Sequence, residues 1–298
     1  MLSHLSKTWA RAREKGLRVC AQYAVEQVDP RVGYPAARLQ YLFRIARGRP
    51  YFGQLYAAAQ GAAAGAHNIE RGRAREIKMR QLVAAACSQK GAESRILEVG
   101  SWAGWSAIVW ANALKDLNRK DGRVVCVDPW ASYLDLKANP DPVYRAMAAA
   151  TRRDAIVGLF HHNVRSAGQS DVVHAFRGTS DECLPMLRGS WFDLVFIDGD
   201  HSYDAVKRDL ANAGRLVRSG GILAGDDLDL QFGEVHESDL RRQLGYDFPL
   251  DPSSDSRYHP GVTLAVWEFF NQRVSSWDGL WAMRKTEGGW EQVCLPAG

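Results

Sequence analysis

From residue 95 onward, short and continuously apolar runs alternate with amphipathic stretches, and this alternation restricts the fold more than any other feature of the chain. RILEVG (95–100), RVVCVD (123–128), VVHAFRG (172–178), FDLVFID (192–198) and GGILAGD (220–226) each read as a strand. Between them, SAIVWANAL (106–114), a stretch over about 144–167 and YDAVKRDLANAGRLV (203–217) read as helices. A charged helix is expected over about 70–90, another helix over 263–273 and a late strand over 280–285. Strands that are apolar throughout are buried on both faces. Alternation with helices of this length gives an α/β architecture, a parallel sheet covered on both sides.

The composition agrees: 46% hydrophobic and 24% charged residues exclude a disordered or collagen-like chain. No apolar run approaches the roughly 18 residues that a membrane span needs, and MLSHLSKTWARAREKGLR lacks the apolar core of a secretory signal. Cys20, Cys87, Cys126, Cys183 and Cys294 are scattered without a CxxC pair. That pattern fits a reduced, cytoplasmic chain better than a disulfide framework or a zinc site.

The net charge of +4 is unevenly placed, because residues 1–80 hold 15 Lys/Arg against 5 Asp/Glu. Residues 1–65, punctuated by Pro30, Pro35 and Pro50, read as a basic helical extension. Residues 66–298 form the expected catalytic domain. The basic front is either a solvated helical face balanced by the acidic domain behind it or a contact for an anionic surface such as a membrane. Nucleic acid is not an expected partner.

Two motifs carry the chemistry. In ILEVGSWAGWS (96–106), Glu98, Gly100 and Gly104 follow a strand and open a helix. A glycine there lets the backbone approach a ligand, and the helix aims free N–H groups at the same place. The spacing is not GxGxxG, and an acidic strand end disfavours a pyrophosphate. It suits a cationic ligand rich in donors, such as S-adenosylmethionine. Asp128 ends the next strand, where a carboxylate can accept both hydroxyls of a ribose, although Pro129 after it also suits a turn-forming Asp. Trp130 is placed equally for stacking on adenine or for packing.

The second motif is a carboxylate cluster. Asp198, Asp200 and His201 follow one strand, and Asp226 and Asp227 follow the next, one strand–helix–strand unit later. Carboxylates converging on one sheet edge repel unless a cation joins them. All-oxygen ligation suits Mg²⁺. A metal there lowers the pKa of a bound hydroxyl, and His201 or Asp200 is placed to take its proton. In the competing reading, Asp200 and Asp227 cap the segments that follow them. His236 and His259 read as surface-loop histidines, with roles as acceptor ligand or second base in reserve; His161 and His162 read as structural.

Together, LEVGSWAGWS, the Asp128 strand, FIDGDHSYDAVKRDL and GGILAGDD resemble the class I S-adenosylmethionine-dependent methyltransferases. The closest likeness is to metal-dependent sugar O-methyltransferases of the macrocin type and their cephalosporin-hydroxylase-like relatives, over about residues 70–285. The resemblance implies a Rossmann-like, doubly wound, seven-stranded and mostly parallel sheet. It implies Glu98, Gly100, Ser101 and Gly104 on the methionine and ribose side of the cofactor, Asp128 on the ribose and Ser180 near the adenine. Asp198, Asp226 and Asp227 correspond to metal ligands, Asp198 also bordering the cofactor, and Asp200 and His201 to the general base. The acceptor is then a hydroxyl of a sugar or glycosylated small molecule, and a homo-oligomer is expected.

The chain departs from that pattern by about 30 residues (229–258) inserted between the GDD strand and HPGV (259–262), a lid or acceptor pocket by position. Trp102, Trp105, Trp191 and Trp277 serve equally as sugar-stacking faces or as core. Two other functions compete. One keeps the fold with hydroxylase-like metal chemistry, for which no two-His-one-carboxylate set is legible in the sequence. The other is a non-catalytic scaffold on a membrane surface.

Overall fold

The computed structural model describes residues 44–52, 64–88, 93–119, 121–132, 135–139, 144, 147–148 and 150–296. Most of the extension expected over 1–65 lies outside the described residues. Where it is described, Tyr51 is buried against the catalytic domain, and Asn163 holds it by accepting from its N–H and donating to its carbonyl, both at 2.8 Å.

Among the described residues, eight strands form one sheet. β1 (Arg95–Val99), β2 (Arg123–Asp128), β3 (Val173–Arg177), β4 (Phe192–Ile197) and β5 (Val217–Leu228) run parallel in the order 3-2-1-4-5. β7 (Gly279–Thr286) adds antiparallel to β5, and β6 (Ser275–Trp277) and β8 (Gly289–Gln292) both pair with β7. The described helices include α1 (Ala64–Ala86), α2 (Trp105–Asp116), α3 (Ala155–Ser166), α4 (Tyr203–Leu216), α5 (Glu237–Gln243) and α6 (Pro260–Phe270). The sheet is doubly wound and mostly parallel, with one strand more than the seven expected. The helix expected over about 144–167 is interrupted at Asp154, whose φ of 58° is left-handed. Among the described residues no helix is long and apolar enough to cross a membrane.

Two cores lie on opposite faces of the sheet, sorted by the period of two along each strand. Ile96 packs with Met79, Leu82, Trp110 and Phe160 toward α1, α2 and α3. Leu97 and Val99 pack with Val206, Leu210 and Val266 toward α4 and α6. In α4 the buried Val206, Leu210 and Ala213 recur at intervals of four and three, which turns one stripe onto the sheet. The 229–258 insert has a small core of its own: Leu240 and Tyr258 pack with Leu264 of α6 and with Tyr203 of α4. Truncating a fully buried leucine such as Leu240 to Ala costs about 2–5 kcal/mol, so the insert is anchored to the catalytic domain.

The strand register sets up the functional edge. Val99 pairs with Val127 and with Ile197, and Ile197 pairs with Gly225. The next residues on these four neighbouring strands are Asp128, Gly100, Asp198 and Asp226, in one row across the carboxyl ends. The strand order reverses between β1 and β4, and such a switch point opens a crevice for ligands.

Candidate active site at the carboxyl edge of the sheet

The turn after β1 is built against the strands beside it. Gly100 has φ 84°, and a Cβ there would lie 1.9 Å from the Asp198 carbonyl oxygen. Only glycine allows this approach. Gly104 caps α2 and packs on the Phe160 ring, which a Cβ would meet at 2.9 Å.

Glu98 lies on the same pleat face as Ile96, turned into the core. Its carboxylate accepts from Ser101 Oγ at 2.6 Å and from Trp110 Nε1 at 3.0 Å. It is fully buried, and burial raises its pKa despite hydrogen bonds from Ser101, Ser106 and Trp110. Glu98 therefore braces the turn from beneath, with Ser101 as its partner.

Asp128 accepts from the backbone N–H of Ser101 and Trp102, both at 2.9 Å, and from that of Trp130 at 2.5 Å. The carboxylate thus ties the turns after β1 and β2 together at the mouth of the crevice, so the turn-forming role is realised. Trp130 is almost fully buried, packs on Phe160 at 5.0 Å and donates its Nε1–H to the Trp102 carbonyl, which makes it core.

Trp102, Trp105 and Trp277 also pack against the core, and Trp191 lies before the start of β4, at the opposite edge, under Arg95. Ser180 opens a single helical turn (Ser180–Cys183) beyond β3, and its side chain hydrogen-bonds the buried Asp209 of α4. His161 packs edge-on against Phe160, and His162 lies 3.0 Å from the Arg49 carbonyl, so both are structural.

At the ends of β4 and β5, Asp198, Asp226 and Asp227 offer carboxylate oxygens that all lie within 4.8 Å of one another. Desolvation, then the charge of Asp227, pushes the Asp198 carboxyl well above the usual range. Burial acts on Asp227 as well, but the charge and hydrogen bond of His201, helped by His259 and Arg75, outweigh it and hold Asp227 well below that range. Arg75 reaches in from α1 and forms an ion pair with Asp226. A cluster that draws in an arginine and raises the pKa of one member suits a hard divalent cation.

His201 stands beside the cluster with both ring nitrogens facing carboxylates: Nε2 is 3.0 Å from Asp227 Oδ2 and Nδ1 is 3.0 Å from Asp247 Oδ1. Asp247 comes from the insert and is itself held by Tyr144, whose hydroxyl donates to it at 2.6 Å. Asp200 instead turns back to accept from the Ser202 N–H at 2.8 Å, the turn that leads into α4.

Asp247 and Asp229 are not marked in the sequence, and His259 is marked there only as a loop histidine with a ligand or base role in reserve. His259 is 8% exposed, and its Nδ1 lies 2.9 Å from Asp229 Oδ2. Its ring sits 4.5 Å from that of His201, centroid to centroid. Gly261 explains the approach: a Cβ there would lie 2.2 Å from the His201 carbonyl oxygen, so glycine alone lets the start of α6 abut the loop that carries His201. The two-His-one-carboxylate set judged absent from the sequence is thereby assembled from His201, Asp227 and His259. His236 remains exposed.

Residues 97–228, which hold both the crevice and the carboxylate row, match the family model described as a methyltransferase domain. That match supports a class I S-adenosylmethionine-dependent methyltransferase. The chain is 27% identical over 186 residues to the catechol O-methyltransferase of Mycobacterium tuberculosis (strain ATCC 25618 / H37Rv), 62% of this chain and 69% of that protein. Among solved structures it is similar to the O-methyltransferase NovP, with 19% identity over 72% of this chain and 80% of that one and a TM-score of 0.51. It is also similar to the O-methyltransferase from Bacillus cereus in complex with SAH, with 19% identity over 73% and 77% and a TM-score of 0.40.

Proposed function

We propose that the chain is a methyltransferase acting on a hydroxyl oxygen of a small molecule, with a divalent cation at Asp198, Asp226 and Asp227 and His201 as general base. The observation that carries the reading is the row of Asp128, Gly100, Asp198 and Asp226 across four adjacent strand ends. That row supports a cofactor crevice directly beside the carboxylate cluster.

S-adenosylmethionine supplies an already activated methyl group, and Gly100, Ser101 and Asp128 border its crevice. An oxygen-loving metal ion such as Mg²⁺ supplies positive charge that makes an acceptor hydroxyl more acidic. The chain itself has three tasks. The first is alignment of the acceptor oxygen with the methyl carbon, which carries much of the rate in an in-line displacement. The second is to receive the hydroxyl proton on His201 Nε2 while Asp247, on Nδ1, fixes the ring. The third belongs to the insert, which covers this edge with Asp247 and with Phe248 stacked on His259.

The acceptor class is one with neighbouring hydroxyls, because two adjacent oxygens chelate a hard cation better than one. A sugar or glycosylated small molecule meets this requirement, as does a catechol, the substrate type named for the Mycobacterium tuberculosis relative. A panel of glycosides, catechols and simple alcohols, assayed with methyl-labelled S-adenosylmethionine and Mg²⁺, tests the reading. Methylation confined to vicinal diols supports it; equal methylation of simple alcohols overturns the chelation argument.

A further inference from the structure

Behind the carboxylate row lies a second, chemically different donor set. His201 Nε2 is 3.0 Å from Asp227 Oδ2, His259 Nδ1 is 3.9 Å from Asp227 Oδ1, and the ligand-type atoms of these three residues all lie within 4.8 Å of one another. Bonds of ~2.0–2.2 Å to imidazole and carboxylate in a tetrahedral site hold the ligand atoms roughly 3.4 Å apart, and the two observed separations bracket that spacing. Asp229 Oδ2, 2.9 Å from His259 Nδ1, adds a second carboxylate at the same point.

The surroundings have the form of a metal centre's supporting layer. A histidine ligand typically gives its other ring N–H to a carboxylate, which fixes the ring and makes the ligating nitrogen more basic. His201 Nδ1 has such a partner in Asp247 at 3.0 Å. Asp247 is oriented in turn by the Tyr144 hydroxyl at 2.6 Å and by its own N–H, which donates to Asn139 Oδ1 at 3.0 Å. The His259 ring is fixed by Phe248, stacked on it at 4.5 Å.

We propose that His201, His259 and Asp227, with Asp229 beside them, form a binding site for a borderline first-row divalent ion such as Zn²⁺ or Co²⁺, distinct in ligand class from the all-oxygen set of Asp198, Asp226 and Asp227. Imidazole donors select this class over Mg²⁺, whereas three carboxylates select the reverse. The two sets share only Asp227. Binding releases protons from the imidazoles and so weakens at low pH. Occupancy takes the His201 Nε2 lone pair, so an ion of this class switches off the base while Mg²⁺ supports turnover. That inhibitory consequence rests on the proposed role of His201 as base; the binding site itself does not.

The test is a titration of the full-length, metal-stripped protein with Co²⁺ in the presence of saturating Mg²⁺, read by visible absorption. The proposal expects the intense bands of a nitrogen-ligated, low-coordinate Co²⁺, bleached when Zn²⁺ displaces it. His259→Gln, checked for folding by circular dichroism, weakens Co²⁺ binding by at least about tenfold, whereas Asp198→Asn keeps the coloured complex. No visible complex in the wild type, or a complex lost in Asp198→Asn and kept in His259→Gln, overturns the site. If Mg²⁺ gives no binding heat while the Co²⁺ complex forms, the Mg²⁺ reading of the oxygen set fails and this site stands.

Discussion

Arg75 of α1 forms an ion pair with Asp226, a member of the carboxylate cluster at the end of β5. Its charge also acts on Asp198 and on Asp227. Arg75 thus brings a positive charge to these carboxylates. It comes from the helix that leads out of the basic front of the chain.

Removing that cation should favour a metal. Arg75→Gln is expected to bind Mg²⁺ roughly tenfold more tightly in calorimetry, since a competing charge a few ångströms from the cluster is gone. The same variant should melt at a lower temperature in chelator and recover with Mg²⁺. Unchanged or weaker Mg²⁺ binding would show that Arg75 and the ion do not compete.

Asp247 should matter through His201. Asp247→Asn is expected to lower turnover by about 10–100-fold, with the KM for S-adenosylmethionine unchanged and the pH profile displaced, because the ring loses its carboxylate partner. His201→Ala should lose roughly 10²–10⁴-fold. A wild-type pH profile in Asp247→Asn would leave that residue a merely structural part.

Gly100→Ala puts a Cβ 1.9 Å from the Asp198 carbonyl oxygen, at a φ of 84°. The backbone conformation alone costs about 1–3 kcal/mol in a non-glycine residue, and the clash adds to it. Thermal melting should show a marked loss of stability, together with loss of S-adenosylmethionine binding. A variant that melts and binds as the wild type does would contradict the close approach of these strands.

Asp209 offers a pH test. Burial, then the charges of Asp181 and Asp200, raises its pKa from 3.8 to about 6 against a lowering hydrogen bond from Ser180. The folded state therefore holds a proton that the unfolded state has released between these values, and this group's contribution to stability falls as pH rises from about 4 to 6. At ~1.4 kcal/mol per pKa unit the change is at most about 3 kcal/mol. Asp209→Asn should remove that slope, so its melting temperature gains on the wild type between pH 4 and pH 6.5. A pH-independent difference would contradict the shift.

The parallel sheet was legible because its strands are apolar throughout, and the carboxylate row because both motifs end strands one unit apart. Glu98, expected on the cofactor side, is buried beneath the turn. Its alternation with Ile96 already assigned it to the inner face, where Trp110 of α2 meets it. Asp128 accepts from backbone N–H groups of the turns after β1 and β2, and Trp130 is buried by packing on Phe160.

Asp247 was not legible at all, and His259 was legible only as a loop histidine with a ligand or base role in reserve. They lie 46 and 58 residues after His201, and nothing local ties them to it. The packing of Leu240 and Tyr258, together with the close approach of Gly261 to His201, brings the insert onto the site. A glycine directly after a proline at a helix start is the one local hint of such an approach.

The central claim is metal-assisted methyl transfer at the Asp198, Asp226 and Asp227 edge, and a single-turnover assay tests it most directly. Wild type and Asp226→Asn are mixed with methyl-labelled S-adenosylmethionine and a vicinal-diol acceptor, once with Mg²⁺ and once with chelator. The account predicts transfer by the wild type with Mg²⁺ only, and little transfer by Asp226→Asn in either condition although it still binds the cofactor. Full transfer by the wild type in chelator would contradict it.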